Sequence, residues 1–501
     1  MTREVGFPTV SERKAWRAAG VIVAGSFLFA ALRRARRLSG GIAEDPVSST
    51  SQYARSAQLA GLATRVGGLA AANRAKKVFA SAKRKDELDA ELELRSAQEI
   101  AEALGNMKGA LMKIGQLASF VDSGMSEPAR QALAQLQQNA PPMSRELADE
   151  VVLRELGAKP ERVFAKWDAV PIAAASIGQV HRAITRDGVA VAVKLQYPGV
   201  DKAIRADLAN FDLGMLGAPM LFGGLDVPAL VEEVRSRIGE ELDYAKEAAN
   251  QRLFADWFRD HPYIHVPRVI DSLSTSRVLT TELAVGHHFS EVETWSQDER
   301  DMAAEAIFRF VFRSLYRLHA FNGDPHPGNY LFQPGGRVTF LDFGLVKRFT
   351  DEHIEQLLGL VRAAVIEPDT AALRAACEHA GFLIPGAPVP DERVVEYIGP
   401  FYDMVKRDEP FRFTREHASE IARRFLLGRA AFGDFIRYAN LPPQFVILQR
   451  INLGLLAILG RLGAVGNWRR IAEEMWPITD APPSTALGER EHAWLLQRFG
   501  H

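Results

Sequence analysis

Between positions 322 and 344 the chain reads Asn322-Gly323-Asp324-Pro325-His326-Pro327-Gly328-Asn329-Tyr330, and then Val338-Thr339-Phe340-Leu341-Asp342-Phe343-Gly344. An aspartate, an asparagine five residues later and an Asp-Phe-Gly thirteen residues beyond that can act together only if a loop and a strand end converge on one cleft. Asp-Pro and Asp-Phe-Gly each occur alone in ordinary turns, so the weight lies in the ordered set. Three oxygen-bearing side chains suit Mg²⁺, which takes hard oxygen donors, few of them from protein and the rest from phosphates and water. In such a cleft Asn329 and Asp342 would hold the metal, and Asp324 would orient or deprotonate a nucleophile.

The texture on either side says what builds the cleft. Residues 47 to 127 contain no proline, and Ile100, Leu104, Met107, Leu111, Ile114 and Ala118 recur at helical spacing as one buried face. Pro141-Pro142 breaks that region and Ser144 caps a short helix to Leu156. The runs Val180–Ile184 and Val189–Leu195 flank Asp187-Gly188, the signature of a β-hairpin. A helical stretch follows from Val227 to Phe258. Apolar runs at Tyr263–Ile270 and Arg277–Leu283 then complete a small antiparallel sheet, and helices predominate from Trp295 onward. The expected class is α+β, a small mixed-sheet lobe and a helical lobe preceded by a helical extension. The division is 1–45 as a basic tail, 46–145 as the helical extension, 146–290 as the small lobe and 291–501 as the helical lobe.

Composition excludes other classes. With 501 residues, 47% hydrophobic and 25% charged, the chain is neither collagen-like, disordered nor a polytopic membrane protein. Its single cysteine, Cys377, excludes an internal disulfide or a CxxC site, and the twelve histidines show no HExxH pattern. The net charge of −1 hides an asymmetry: residues 1 to 40 carry eight Arg/Lys against Glu4 and Glu12, a net +6 that leaves −7 for the rest. Inside that basic end, Ala18–Leu32 is a fifteen-residue uncharged stretch, about 22 Å as a helix and short of a ~30 Å hydrocarbon core. It suits a membrane-surface helix with snorkelling arginines, or a tail. Ile451–Gly460 is likewise too short to span.

Upstream of the cleft motif, Val191-Ala192-Val193-Lys194 places a lysine in an apolar strand, either pointing to water or reaching nucleotide phosphates. Ala173-Ala174-Ala175-Ser176-Ile177-Gly178-Gln179-Val180 superposes on G-x-G-x-x-G-x-V with the first two glycines replaced by alanine, a stiffer phosphate loop. A carboxylate partner for Lys194 is expected from the helix that carries Glu240, Glu241, Asp243 and Glu247. The strand end Thr280 to Ala284, with Glu282 and Ala284, is positioned to offer backbone groups to adenine. After Gly344, Thr350 is an N-cap with His353 in the capping-box position. No Ala-Pro-Glu follows, and the segment is too short for an activation loop, which argues against peptide phosphorylation.

These motifs resemble the UbiB/AarF family of atypical protein-kinase-like proteins, associated with ubiquinone biosynthesis and related lipid metabolism. The resemblance rests on Lys113-Ile114-Gly115-Gln116, the alanine-rich loop and Glu241-Leu242-Asp243, in company with Lys194, Asp324, Asn329 and Asp342. It implies that Lys113 pairs with Glu241 or Asp243 while its helix closes the cleft, that Glu247 pairs with Lys194, and that ATP or ADP binds with Mg²⁺ at Asn329 and Asp342. Asp324, Lys194 and Lys113 are the residues it places in catalysis. The expected partners are a nucleotide, a lipid or quinone-like small molecule, a membrane surface, biosynthetic enzymes and a second copy of the chain, with no nucleic acid. The expected location is cytoplasmic or peripheral to a membrane, mitochondrial in a eukaryote. The alternative reading is a nucleotide-gated scaffold or lipid chaperone with little turnover. An antibiotic or choline kinase shares the Asp…Asn…Asp cleft but explains neither the Lys113 motif nor the alanine loop.

Overall fold

The computed structural model describes residues 143–175, 177–201, 242–323, 325–421, 437–439 and 442–500. Lys113, Gly115, Gln116, Ser176, Glu241 and Asp324, together with the basic tail, lie outside the described residues.

The small lobe starts with helix α1 (Arg145–Leu156). Ser144 caps it, its Oγ accepting from the Leu147 N–H at 3.4 Å, and Gly157 ends it at φ +78°, a left-handed conformation that glycine takes without steric cost. Ala148, Val151 and Val152 on α1 are buried against Val191, Val193 and Leu195 on the back of a five-stranded sheet. Its strands are β1 (Phe164–Trp167), β2 (Ala173–Ala175), β3 (Gly178–Thr185), β4 (Ala190–Gln196) and β6 (Val278–Glu282), in the order β1-β3-β4-β6 with β2 also on β3. Every pairing is antiparallel. Gly188, at φ +89°, closes the β3–β4 hairpin expected from Asp187-Gly188. Val180 pairs with Lys194 and Lys194 with Leu279, so these side chains share the face opposite α1.

Helix α2 (Tyr244–Trp257) leaves this lobe for the larger core. Only half of the expectation for the next two runs holds. Arg277–Leu283 supplies β6, but Tyr263–Ile270 supplies β5 (Ile264–His265), which pairs parallel with β9 (Arg337–Phe340) in a second sheet alongside β8 (Tyr330–Gln333). Tyr263 and Ile264 are buried in the large-lobe cluster, and that packing draws the start of the run to the second sheet, while its end stays on β6 as expected: the Ile270 N–H donates to the Thr280 carbonyl at 2.8 Å and the Glu282 N–H to the Arg268 carbonyl at 2.9 Å. Val269 touches the small sheet through an isolated bridge to Thr281.

The large lobe is built on α3 (Gln297–Arg313), whose Phe310 ring lies 3.6 Å from Phe340. After α3 the backbone makes a π turn over Ser314–Leu318 and enters a left-handed conformation at His319 (φ 49°), uncommon for a non-glycine residue. That reversal launches β7 (Ala320–Asn322), paired antiparallel with β10 (Val346–Arg348). Helix α4 (Asp351–Val361) starts at Thr350 with the capping box to His353. Three further helices are α5 (Thr370–His379), α6 (Asp391–Ile398) and α7 (Pro443–Leu462). Helices α8 (Trp468–Glu473) and α9 (Ala486–Phe499) complete the lobe. Among the described residues no helix is long and apolar enough to cross a membrane. Cys377 on α5 is buried, and burial pushes its thiol up to about 12.

Candidate nucleotide site

The front of β4 meets the N-terminal half of α2 and the end of β9. Lys194 donates to both Glu247 carboxylate oxygens, at 2.7 and 2.9 Å, and its Nζ stands 3.8 Å from Asp342 Oδ2. The Glu247 side chain is 4% exposed and the Lys194 side chain 19%. Burial alone would lower the lysine pKa, but the negative charges of Glu247 and Asp342 outweigh it and hold the ammonium above its ordinary value. Lys194 therefore keeps its charge at neutral pH, and of its two readings the sheet register selects the one that faces the cleft.

Tyr244 lies beneath this pair. Its ring centroid is 4.9 Å from Lys194 Nζ, a cation–π contact, and burial raises the pKa of its hydroxyl. Gly178 completes the floor, since a Cβ there would fall 2.0 Å from the Leu195 carbonyl oxygen and 3.0 Å from the Tyr244 hydroxyl. The sequence reading did not single out Tyr244. Its position one residue after Asp243 and three before Glu247 was the available signal.

The Asp-Phe-Gly turn is fixed from three sides. Asp342 Oδ1 accepts from the Gly344 N–H at 2.9 Å, and Asn322 Nδ2 donates to the Asp342 carbonyl at 2.7 Å. Asn250 Nδ2 on α2 donates to the Phe343 carbonyl at 3.1 Å, while the buried Phe343 ring lies 5.0 Å from Phe254. The other Asp342 oxygen is left facing Lys194. Asn329 ends a 3₁₀ turn over Pro327–Asn329, and its carbonyl accepts from the Leu341 N–H at 2.9 Å. This extends the β8–β9 pairing by one step and brings Asn329 and Asp342 to the same end of the hairpin. Both are oxygen donors suited to a hard cation.

The alanines form a strand instead of an open loop: Ala173 pairs with Val180, Ala174 with Gln179 and Ala175 with Gly178. Behind them, Gln179 Oε1 accepts from the Met143 N–H at 2.8 Å and Gln179 Nε2 meets His181 Nε2 at 2.7 Å. His181 Nδ1 in turn contacts the Asp168 carbonyl at 2.9 Å. This buried polar chain anchors the loop to the start of α1, and sequence pattern gave no sign of it. Asp243 caps α2, its Oδ1 accepting from the Ala245 N–H at 3.0 Å. At the β6 end, the Glu282 N–H donates to the Arg268 carbonyl and its carboxylate binds Arg268, while the Leu283 N–H is taken by Ala190. The Glu282 carbonyl accepts from the Thr281 hydroxyl at 3.3 Å, and the next backbone N–H along is that of Ala284.

Comparison with known proteins agrees with this geometry. An ABC1 atypical kinase-like domain matches residues 135–376. The atypical kinase COQ8B, mitochondrial, of Rattus norvegicus is 34% identical over 271 residues, covering 54% of this chain and 51% of the relative. The atypical kinase COQ8, mitochondrial, of Saccharomyces cerevisiae is 28% identical over 384 residues, covering 75% of each. The chain thus spans about half the rat relative and three quarters of the yeast one. A solved structure, the Rv3197–erythromycin complex from Mycobacterium tuberculosis, superposes with a TM-score of 0.56 at 33% identity, covering 78% of this chain and 98% of that one. With the paired lysine and glutamate, the anchored Asp-Phe-Gly and the alanine strand in place, these matches show that the chain belongs to the UbiB/AarF family of ABC1 atypical kinase-like proteins.

Proposed function

We propose that the chain binds ATP or ADP with Mg²⁺ between the two lobes, and hydrolyses the nucleotide or transfers its phosphoryl group to a small or lipid-like acceptor in ubiquinone or other isoprenoid-lipid biosynthesis. The observation that carries this reading is the preformed Lys194–Glu247 pair beside Asp342. Asn329 and Asp342 would hold Mg²⁺, which when bound neutralises charge on the phosphate oxygens. Lys194 reaches the phosphates from β4, and Glu247 fixes the direction in which the ammonium points. Gly178 lets the start of β3 lie close against β4 and Tyr244 beneath the phosphate position. Asp324, from its place in the motif, would orient the nucleophile or take its proton. The Glu282 carbonyl and the Ala284 N–H would pair with adenine.

A small-molecule acceptor is supported by helix α4, which begins only seven residues after Gly344 and leaves no peptide-binding activation segment. The related structure carrying erythromycin, a small molecule, points the same way. The basic tail would bring the protein to a membrane surface, in keeping with the mitochondrial names of the rat and yeast relatives.

The test is Asp342→Asn. It is expected to abolish Mg²⁺-dependent ADP binding measured by calorimetry, and unchanged affinity would overturn the reading. A scaffold with little turnover is favoured by the paired alanine strand, which restricts movement over the phosphates. Sustained ATP hydrolysis that disappears in Asp324→Asn would count against the scaffold.

A further inference from the structure

We propose that the C-terminal helix α9 is the positioning element for Glu247, acting through the far end of α2. Trp257, the last residue of α2, packs against two α9 rings, 5.4 Å from Trp494 and 5.6 Å from Phe499, which are themselves 5.7 Å apart. Arg498 donates to the Asp256 carbonyl, Trp494 Nε1 to the Arg259 carbonyl at 3.1 Å and Arg490 to the Pro262 carbonyl at 2.8 Å. Each of these acceptors lies at or just past the C-terminus of α2, where helix carbonyls lack intrahelical partners.

Helix α9 is itself fastened to the large lobe. The Glu491 carboxylate is buried and takes Arg309 Nη1 and Arg313 Nη2, each at 2.9 Å. These contacts make α2, whose other end serves the small-lobe lysine, a rod fixed at its base to the large lobe.

The rod has a pivot. Asn250 and Phe254 pin its middle to Phe343. From the midpoint of these two pins, near residue 252, the helix runs about 7.5 Å to Trp257 and about 7.5 Å to Glu247, at ~1.5 Å per residue. A tilt that moves the Trp257 end by about 1 Å thus moves Glu247 by about 1 Å, by the same helix geometry. That is enough to break a 2.7 Å contact with Lys194. Docking of α9 therefore sets the fraction of molecules in which the Lys194–Glu247 pair is made, and apparent nucleotide affinity scales with that fraction. This consequence for affinity rests on the proposed nucleotide site, whereas the mechanical coupling does not.

The test uses the full chain with Trp494→Ala, Trp494→Phe and Arg498→Ala. Hydrogen exchange is followed over residues 246–257, with α3 as an internal reference, and Mg²⁺-ADP affinity is measured by calorimetry well below the unfolding temperature. Trp494→Ala is expected to speed exchange in α2 while α3 stays protected, and to weaken ADP binding about five- to tenfold, as when the competent fraction falls to 10–20%. Arg498→Ala should give a smaller change in the same direction, and Trp494→Phe, which keeps a ring against Trp257, should restore most of the affinity. Unchanged exchange in α2 of folded Trp494→Ala overturns the proposal. Should that variant not fold, the same result in Arg498→Ala does so. Loss of protection in α2 when the wild-type chain binds no ADP would keep the brace and remove the nucleotide reading instead.

Discussion

Gly178 shows how little room the site has at the level of one residue. Any side chain there points at the Leu195 carbonyl oxygen, a backbone atom held in the β3–β4 pairing, and behind it stands the Tyr244 hydroxyl. A flexible neighbour could give way, but a ladder carbonyl cannot move without opening the hairpin beside Lys194. Gly178→Ala is therefore expected to lower stability by about 1–3 kcal/mol, the usual cost of forcing atoms into a packed site, and to weaken ADP binding. Urea unfolding and calorimetry would check it, and a neutral result would mean that the hairpin holds slack the contacts do not show. The contrast with Ala173 to Ala175 is informative: those residues carry side chains because their backbone pairs as an ordinary strand.

Among the elements, α7 has an unexpected neighbour. A Cβ at Gly454 would lie 2.5 Å from Pro325 Cγ, so the helix packs directly on the loop that carries Asp324 one residue earlier. Proline is rigid, and a methyl group at position 454 would displace the loop instead of being absorbed by a side-chain rotation. Gly454→Ala is expected to lower the rate of ATP hydrolysis at least several-fold while leaving ADP affinity nearly unchanged, because Lys194, Glu247 and Asp342 are held by other elements. A steady-state assay beside calorimetry separates the two, and an equal loss in both would place α7 behind the whole site. The return from α3 through the π turn to His319 belongs to the same scale: a left-handed residue and a paired β7–β10 ribbon aim the loop.

Across the whole molecule, two buried histidines are expected to make both lobes sensitive to pH. His181 lies behind the small sheet and His261 beside Glu491 under α9, and burial lowers the pKa of each, opposed by neighbouring acceptors. Unfolded imidazoles near 6.5 take up protons before the folded ones do. The stability each contributes is complete above that value and is lost as pH falls towards the folded pKa. Stability should therefore drop as pH falls below about 6.5, with a slope of at most ~1.4 kcal/mol per pH unit for each histidine. Urea titrations at several pH values would measure it, and a flat profile in wild type would show that both rings accept a proton without penalty. The site between the lobes should weaken over the same range, since His181 anchors the alanine strand and His261 sits where α9 holds α2.

The sequence by itself determined whatever is closed within a few residues. Ser144 and Thr350 start their helices because a side-chain oxygen satisfies a nearby N–H, Asp187-Gly188 turns the hairpin because glycine tolerates positive φ, and the spacing of Asn329 and Asp342 brings both to one hairpin end. Reading Glu247 as the partner of Lys194 needed the family resemblance, and the contact itself joins residues 53 apart. Tertiary structure alone decided that Tyr263–Ile270 would divide between two sheets, that Tyr244 would underlie the lysine, that Gln179 and His181 would carry a buried polar chain, and that helix α9 would hold the glutamate's helix. Each of these depends on which surface is nearest once apolar faces are buried. That choice is made by the packing of the whole chain, and no short stretch of sequence contains it.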